Sequence, residues 1–497
     1  MIVRENKQST NIYKPNLIER AWDGAIGLFS PATALRNSQL RRALKRSYAG
    51  AKKTPSLSQY WSGQDGDANA SIRRDRQTVA NRVRQLTRDM PWMDGAVEAT
   101  ADYWVGEGFS FKPAVTESDG QMDRETNRII KDAFVRWCEK ASADDRDHFG
   151  DLQRLAVRQI VETGEAVFLH RYYKDGYRLL SLESDCISNA VGSVSKNIDQ
   201  GIKFDPERNR NIEYYFNTPG SAMRDVKTIK AENVLHLFKR KRPWQRRGIS
   251  PLVQTILIAA DLDEFLSGEM SAQQMASRWL AFVTDPNSDT MGEISDQEIH
   301  TVLDNLTIET LPPGKSIQLA SGAERPTLGL ETFQKIFLQI LSVILRIPYS
   351  VISADYKQLN YNTLREIRNN TVHRLKSEWH YLERHFLNPV YRNWMDYAVL
   401  SGELKLKNYF MPGGKWNYQK CFWLPPGIES VDVLRDIKGV LLASKNGMFD
   451  PNDWIMSQGE DPEEIMAGIA EFQRMLEEYG IVLEKETSDT NLRSVIK

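Results

Sequence analysis

Apolar residues in the first third of the chain recur every three or four positions, which is the spacing of one face of an α-helix. In the first such stretch Val79, Val83, Leu86 and Met90 form the apolar stripe, and six arginines occupy the opposite face. Pro91 then interrupts the pattern, because proline disfavours helical backbone in the residue before it. The spacing predicts four helices, over 71–90, 92–105, 123–141 and 152–163.

After residue 164 the apolar pattern changes to short runs rich in β-branched and aromatic residues. Turn-forming residues such as Lys174-Asp175-Gly176 separate these runs, as is typical of β-strands. The runs predict strands over 165–173, 177–182, 212–216 and 233–238. The first half of the chain is therefore expected to combine helices with sheets.

Helical patterns dominate the second half of the chain. Pro251 directly follows Ser250, a favoured arrangement at a helix start, and the apolar positions predict one long helix over 252–283. A more polar segment, 284–327, follows. It is expected to contain a short helix over 295–306 and two strand-like pieces around a pair of prolines.

The next predicted helix, 330–346, is apolar nearly all round, which implies that neighbours cover it on several sides. A polar loop, 353–362, precedes a long helical pattern towards residue 401, where Pro389 is expected to kink or break the helix. Three short helices are predicted at the end, over 431–446, 451–458 and 462–479. The fold class predicted for the whole chain is α+β, mainly helical.

Charge is unevenly distributed along the 497 residues, although 65 Lys and Arg nearly balance 66 Asp and Glu. Residues 1–92 hold 17 basic against 7 acidic side chains, a net charge of +10, and residues 427–497 hold 7 against 15, a net charge of −8. Either end is ordinary solvated surface, or the basic end lies near a polyanion that the acidic end avoids. The Ser-, Gly- and Lys-rich beginning predicts an extended basic arm over 1–60.

Composition excludes several classes of protein. The three cysteines are far apart and never form a Cys-x-x-Cys pair, so neither a disulfide framework nor a zinc knuckle is expected. The polar start lacks the apolar core of a signal peptide. The longest strongly apolar stretch, 336–345, is shorter than the about 20 residues that span a bilayer. We expect a soluble protein of a reducing compartment that has no membrane partner.

One segment concentrates positive charge. Six of nine consecutive residues are cations: Lys239, Arg240, Lys241, Arg242, Arg246 and Arg247. Such a density predicts contact with phosphate groups or with acidic groups of a neighbouring subunit, because like charges repel without a partner. A localisation signal or a solvated face has the same composition, so the run by itself does not decide between these hypotheses.

Candidate catalytic residues are few. Asp144, Asp145, Asp147 and His148 form the densest carboxylate and histidine cluster, for which a helix-capping loop is a simpler interpretation than a metal site. The Gly-Lys-Ser sequence at 314–316 resembles the end of a phosphate-binding loop. However, Glu309 stands where that loop needs glycine, and two prolines remove backbone N–H groups. We therefore expect no enzymatic activity, no cofactor and no metal.

Three segments carry a resemblance to a known family. They are Phe149 to Glu165, the Arg-Pro-Trp-Gln-Arg-Arg-Gly-Ile-Ser-Pro-Leu element at 242–252, and Ile347-Pro348-Tyr349 followed by Asp355-Tyr356 and Asn360-Tyr361-Asn362-Thr363-Leu364-Arg365. Together they resemble the portal proteins of tailed phages of the lambda type, over about residues 35–480. Two departures are Arg346-Ile347 before Pro348, where that family has Gly-Val, and Asn362-Thr363, where it has Ser-Ser.

The resemblance implies a twelve-membered ring at one vertex of a phage head, through which a separate terminase pumps double-stranded DNA. It implies a wing (61–250 and 348–430), a stem (251–285 and 328–347), a clip (286–327) and a crown (431–497) around a central channel. The expected partners are the terminase large subunit, the major capsid and scaffold proteins and a head–tail adaptor. The expected location is the virion, with the host cytoplasm during assembly.

The same resemblance places the loop 353–362 at the narrowest point of the channel, facing DNA. The residues that it marks as tunnel-loop contacts are Asp355, Tyr356, Lys357, Gln358 and Asn360. Two other classes of function remain open at this point. One is a metal-dependent nucleic-acid-processing enzyme that uses the acidic cluster and the basic run, and the other is a scaffold or adaptor protein without a channel.

Overall fold

The computed structural model describes residues 67–117, 119–188, 197–217, 226–276, 280–284, 316–320, 328–357, 359–427 and 432–481. The chain divides into two units, Met1–Asp67 and Ala68–Lys497, and every element named below belongs to the second. The predicted arm over 1–60 and the predicted helix over 295–306 lie outside the described residues.

Four helices precede the two larger sheets: α1 Ala68–Asp89, α2 Pro91–Trp104, α3 Arg124–Cys138 and α4 Phe149–Glu162. All four were predicted, and the stripe residues Val79 and Val83 of α1 are buried. Met90 interrupts the helical path with an extended backbone (φ −113°, ψ 112°), as expected before a proline. Asp123 caps the start of α3, and its side chain accepts a hydrogen bond from the backbone N–H of Thr126 (3.0 Å).

Two antiparallel sheets follow. In the three-stranded sheet β2 lies between β3 and β8, and in the four-stranded sheet the strands follow their chain order, β4 to β7. The first six residues of β2 are buried, as befits a central strand covered on both faces. The bounds are β2 Glu165–Tyr173, β3 Gly176–Leu182, β4 Ile198–Asp199, β5 Ile202–Phe204, β6 Asn211–Asn217, β7 Val226–Lys230 and β8 Val234–Phe238.

The long helix predicted over 252–283 is wrong in its last part. A 3₁₀ turn, Pro251–Gln254, leads into α5, Ile256–Ala276, and the chain then forms strand β9, Leu280–Thr284. β9 pairs antiparallel with β10, Ser316–Ala320. Its β-branched and aromatic residues suit a strand. Its backbone N–H and C=O groups form hydrogen bonds with β10, whereas in a helix they would bond to residues nearby in the sequence.

A second helical region contains α6 Leu328–Leu345, α7 Tyr349–Ser353, α8 Tyr361–Leu382 and α9 Asn388–Leu400. A π-helical turn, Glu383–Leu387, joins α8 to α9 immediately before Pro389. Proline has no N–H to donate and clashes with the carbonyl four residues earlier, so the wider turn accommodates it. The backbone stays helical through Pro389, so the kink or break expected there takes the form of a π-helical turn and not of an interruption. The predicted stop at Gly402, whose φ is 80°, is confirmed.

The two halves of the chain meet in one sheet. β1, Ser110–Pro113, pairs antiparallel with β11, Cys421–Leu424, which follows the short helix α10, Gly414–Tyr418. Beyond β11 the chain forms three helices in the places predicted for them: α11 Val433–Lys445, α12 Pro451–Ser457 and α13 Pro462–Glu478. The fold is mainly helical α+β.

Aromatic side chains fill the centre of the main core. Phe134 of α3 lies 4.4 Å from Phe111 of β1, 4.9 Å from Trp394 of α9 and 5.8 Å from Trp423 of β11, measured between ring centroids. The core therefore contains residues from both halves of the chain, and the tryptophans in it are packing residues. None of the helices in the described part of the chain is long and apolar enough to cross a membrane.

Candidate DNA-contacting loop and basic run

The predicted DNA-contacting loop lies between α7 and α8. The residue after α7, Ala354, has a left-handed backbone (φ 52°), and Asp355, Tyr356 and Lys357 are exposed beyond it. The Asp355 carboxylate accepts a hydrogen bond from the backbone N–H of Lys357 (3.2 Å), which closes a tight turn. The turn leaves Lys357 at the surface, where it can meet an anion. Gln358 lies outside the described residues.

Asn360, the last of the predicted contact residues, is the N-cap of α8. Its side-chain oxygen accepts hydrogen bonds from the backbone N–H (2.9 Å) and the hydroxyl (2.8 Å) of Thr363. A cap of this kind pairs an N–H group that the first turn of a helix leaves without a partner. The signal was present in the sequence, because asparagine is a favoured cap directly before a helical pattern.

A cleft of about 550 Å³ lies behind the loop, between α6 and α8. The charged residues that line it are Lys335, Lys357, Arg374, Glu331 and Asp355. Three positive charges face two negative ones, so the surroundings of the loop are only weakly positive. Such a surface attracts phosphate without holding it tightly.

The basic run is divided between the surface and the interior. Arg240, Lys241 and Arg242 are exposed, whereas Arg246 is 5% exposed and Arg247 is fully buried. A buried guanidinium can reach neither DNA phosphate nor a neighbouring subunit. The predicted contacts are therefore wrong for Arg246 and Arg247, and they remain a prediction for the three exposed residues.

Arg247 has its acidic partner within its own chain. Its guanidinium donates to both carboxylate oxygens of Glu165 (2.9 and 3.1 Å), which is the first residue of β2. The remaining N–H groups donate to the backbone carbonyls of Gln200 (3.1 Å) and Ser184 (3.0 Å). Because these bonds pair the guanidinium with fixed acceptors, its burial is compensated.

Three more side chains complete this arrangement, which we call the Glu165 cluster: Arg76, Glu165, Asp185, His236 and Arg247. Arg76 of α1 lies 3.1 Å from Glu165 and 3.7 Å from Asp185, and His236 Nε2 lies 2.5 Å from Glu165. Burial raises the pKa of the Glu165 carboxyl, but Arg247, the hydrogen bond with His236 and Arg76 together outweigh it and hold that pKa well below its ordinary value. Burial also lowers the pKa of His236, whose neutral ring donates to Glu165.

The segment 242–252, the second of the three that carry the family resemblance, stabilises the fold of the chain around it. The Gln245 side chain accepts a hydrogen bond from the backbone N–H of Lys241 (2.8 Å) and donates to the carbonyl of Arg247 (2.8 Å). A Cβ atom on Gly248 would lie only 2.0 Å from the carbonyl oxygen of Gly164, so this position requires glycine. The element therefore positions Arg247 against the strand that carries Glu165.

Lys239, the first residue of the run, also has an internal partner. It pairs with Glu378 of α8, and its Nζ lies 4.1 Å from the ring centroid of Trp104. Burial lowers the pKa of the Lys239 ammonium. Arg346, directly after α6, lies 3.4 Å from the same carboxylate. Glu378 thus joins the end of β8 and the end of α6 to the last part of α8.

The acidic cluster 144–148 serves the local structure. His148 caps α4 by accepting a hydrogen bond from the backbone N–H of Gly150 (3.0 Å), Asp145 pairs with Arg178 (3.2 Å), and Asp144 accepts from the hydroxyl of Ser142. The capping interpretation is confirmed. Within the described residues no three His, Cys, Asp or Glu side chains are grouped so that they could hold a metal ion.

Comparison with known proteins decides the family. The family described as "Phage portal protein, lambda family" matches residues 54–377, which is most of the chain. The chain belongs to this family. The resemblance of segments 149–165, 242–252 and 347–365 is thereby confirmed. The chain is a portal protein of a phage-like particle. The portal family is structural rather than catalytic.

Three curated relatives carry the same description. The probable portal protein of Halomonas phage phiHAP-1 is 23% identical and covers 93% of this chain and 92% of its own length. The portal protein of Escherichia phage N15 is 18% identical over 82% of this chain and 86% of its own length. Portal protein B of Escherichia phage lambda is 19% identical, but over only 32% of this chain and 30% of its own length.

Solved structures similar to this chain come from gene transfer agent (GTA) particles. A chain in the neck of the empty particle, computed with C6 symmetry, has a TM-score of 0.44 and 12% identity. A chain in the neck of the native particle, computed with C12 symmetry, has a TM-score of 0.44 and 11% identity. Each match covers 78% of this chain and 94% of the other.

Proposed function

We propose that twelve copies of this portal protein form a closed ring at one vertex of a phage head, and that double-stranded DNA enters and leaves through its channel. The terminase large subunit docks on this ring during packaging, and a head–tail adaptor replaces it afterwards. The major capsid and scaffold proteins surround the ring during assembly in the host cytoplasm.

The proposed domains follow the ranges that the family resemblance implies, with one change. The wing comprises 61–250 and 348–430, and the pairing of β1 with β11 supports treating these two ranges as one body. The crown comprises 431–497. The stem consists of α5 and α6, and the clip between them begins before residue 280, because the strand β9 replaces the end of the predicted helix.

The exposed apolar faces of the two stem helices are the observation that carries the proposal. α5 and α6 contact each other through Phe265 and Phe333, whose ring centroids are 5.7 Å apart. Their other faces expose Leu257 (73%) and Val343 (75%). Burying one such side chain contributes about 1.5–3 kcal/mol, so side-by-side packing of stems in a ring is strongly favoured.

The loop between α7 and α8 supports the passage of DNA. One exposed Lys357 per subunit gives the channel a ring of positive charge, and the neighbouring Asp355 reduces the net attraction. Weak contact with phosphate carries no sequence preference and holds DNA against slippage without stopping its movement. The exposed Arg240, Lys241 and Arg242 offer a second surface to phosphate or to a neighbouring subunit.

The ring can be tested on the purified full-length chain. Sedimentation velocity and native mass spectrometry should find a particle of about 680 kDa, twelve times the chain mass of 57.0 kDa. Negatively stained particles should show a ring with a central hole. A 57.0 kDa monomer at micromolar concentration in several salt conditions contradicts the proposal, and closed particles without a hole favour the scaffold or adaptor function.

A further inference from the structure

Two helices near the end of the chain have apolar faces that no described residue covers. No residue of α11 is buried, and Pro462 is the only buried residue of α13. Their exposed apolar side chains are Val433, Leu434, Ile437, Leu441 and Leu442 on α11, and Met466, Ile469, Phe472 and Met475 on α13. Isolated helices of 13 and 17 residues are marginal in water, so these faces need a partner.

The two helices carry opposite charge. α11 has Arg435, Lys438 and Lys445 against one aspartate, a net charge of +2. α13 has five glutamates against one arginine, a net charge of −4. Each helix therefore combines an apolar face with a charge that complements the other, which is a suitable arrangement for packing along one another.

Within one chain the two helices do not pack along each other. α11 and α13 each contact the short α12 that connects them. Ion pairs attach the start of both helices to the body: Asp436 lies 3.3 Å from Arg368, and Asp461 lies 2.8 Å from Lys112 and 2.9 Å from Lys131. These ion pairs fix where α11 and α13 begin and leave most of their length exposed.

We propose that α13 of one subunit packs along α11 of the next subunit, so that the acidic helix of each copy covers the basic helix of its neighbour. This inference rests on the proposed ring. The contact is head-to-tail, because each subunit offers two different surfaces, and contacts of this kind close into a ring when the rotation between subunits allows it. The belt of helix pairs buries both apolar faces and pairs their charges.

Charge reversal and its rescue test the contact. Glu471→Lys with Glu478→Lys on α13, or Arg435→Glu with Lys438→Glu on α11, should each raise the concentration of half-assembly by about tenfold. The chain that carries all four substitutions should assemble as the unmodified chain does. Circular dichroism of the unassembled fraction should show that every variant is folded.

A matched reversal elsewhere is the control for nonspecific charge effects. Lys405→Glu with Lys407→Glu alters two exposed lysines that follow α9 and should leave assembly unchanged. If neither reversal on α11 or α13 weakens assembly, or if the fourfold variant is not restored, the proposed contact is wrong. Either result would also be expected if another segment of the same chain packed on these faces, and in that case too the proposed contact is wrong.

Cross-linking tests the geometry independently of charge. Rings mixed from a Leu441→Cys chain and an Ile469→Cys chain should give oxidised dimers, whereas rings of either variant by itself should not. A chain with both substitutions should give a ladder of higher oligomers. A cross-link closed within a single chain, or none at all, overturns the inference. If the unmodified chain forms no ring, the proposed function itself is wrong. If it forms a ring without the expected cross-link, only the contact between α13 and α11 is wrong.

Discussion

Removing the charge of Glu165 tests whether the basic run holds the fold together. Glu165→Gln preserves the shape of the side chain but removes the negative charge that lies 2.9 Å from Arg247 and 3.1 Å from Arg76. Both guanidinium groups then stay buried, and the carboxylate that remains near Arg76 is that of Asp185, 3.7 Å away. The new amide NH2 group also replaces an oxygen that accepted a hydrogen bond from His236 or an arginine. Two donors then face each other there.

The expected loss follows from the burial of these groups. Breaking a buried ion pair by neutralising one partner costs about 3–5 kcal/mol, because the remaining charge keeps its desolvation penalty. Glu165 and Arg247 are both fully buried, so solvent screening does not reduce this value. At about 1.4 kcal/mol for each factor of ten, the unfolded fraction rises by roughly 10² to nearly 10⁴.

Urea unfolding followed by tryptophan fluorescence measures the change, at one protein concentration because assembly also contributes to stability. Glu232→Gln is the matched control, because it makes the same change in an ion pair that is exposed to solvent. Glu232 lies 3.6 Å from Lys230, and both side chains are exposed. The control should stay within about 0.5 kcal/mol of the unmodified chain. A loss below about 1 kcal/mol for Glu165→Gln would refute the assignment of the cluster as a structural centre.

Three further predictions concern assembly, DNA and pH. Val343→Asp puts a charge on the exposed face of α6 and should raise the concentration of half-assembly about tenfold or more in sedimentation velocity; unchanged assembly would contradict stem packing. Lys357→Ala with Gln358→Ala should leave the ring intact but lower the length or retention of packaged DNA, and full-length retained genomes would reject the channel role of the loop. Burial lowers the pKa of His170 to about 4, so the unfolded chain binds a proton below about pH 6.5 that the folded chain does not. Stability should therefore fall by up to about 3 kcal/mol from pH 6.5 towards 4, and His170→Gln should flatten the plot of unfolding free energy against pH; an unchanged slope would exclude His170 as the cause.

Local patterns predicted most elements of the fold. The stripe of α1, the strands β2 and β3 and the helix stop at Gly402 all follow from neighbouring residues in the sequence, and the structure has them within a few positions. The strand β9 could not be predicted in this way. Its residues continue the apolar pattern of α5, and only pairing with β10, more than 30 residues further along the chain, makes a strand the better state.

In the candidate site, too, the sequence shows which residues are present but not which distant residues they contact. The density of cations from Lys239 to Arg247 is visible in the sequence, but nothing in the spacing indicates that Arg247 meets Glu165. The hydrogen bond from Arg247 joins residues 82 positions apart, and that from Arg76 joins residues 89 apart. Exposure decides whether an arginine binds phosphate or pairs with a buried carboxylate, and exposure is a property of the folded chain.

The sequence by itself determined the fold class and the positions of most helices and strands, because hydrophobic periodicity, helix caps and prolines act over a few residues. The family followed from the resemblance of three segments and not from these patterns. Only the tertiary structure decided which charges are available. It buried Arg246 and Arg247 and left Arg240, Lys241, Arg242 and Lys357 exposed. The physical reason is that burial and ion pairing depend on contacts between residues far apart in the chain, whose approach no local pattern encodes.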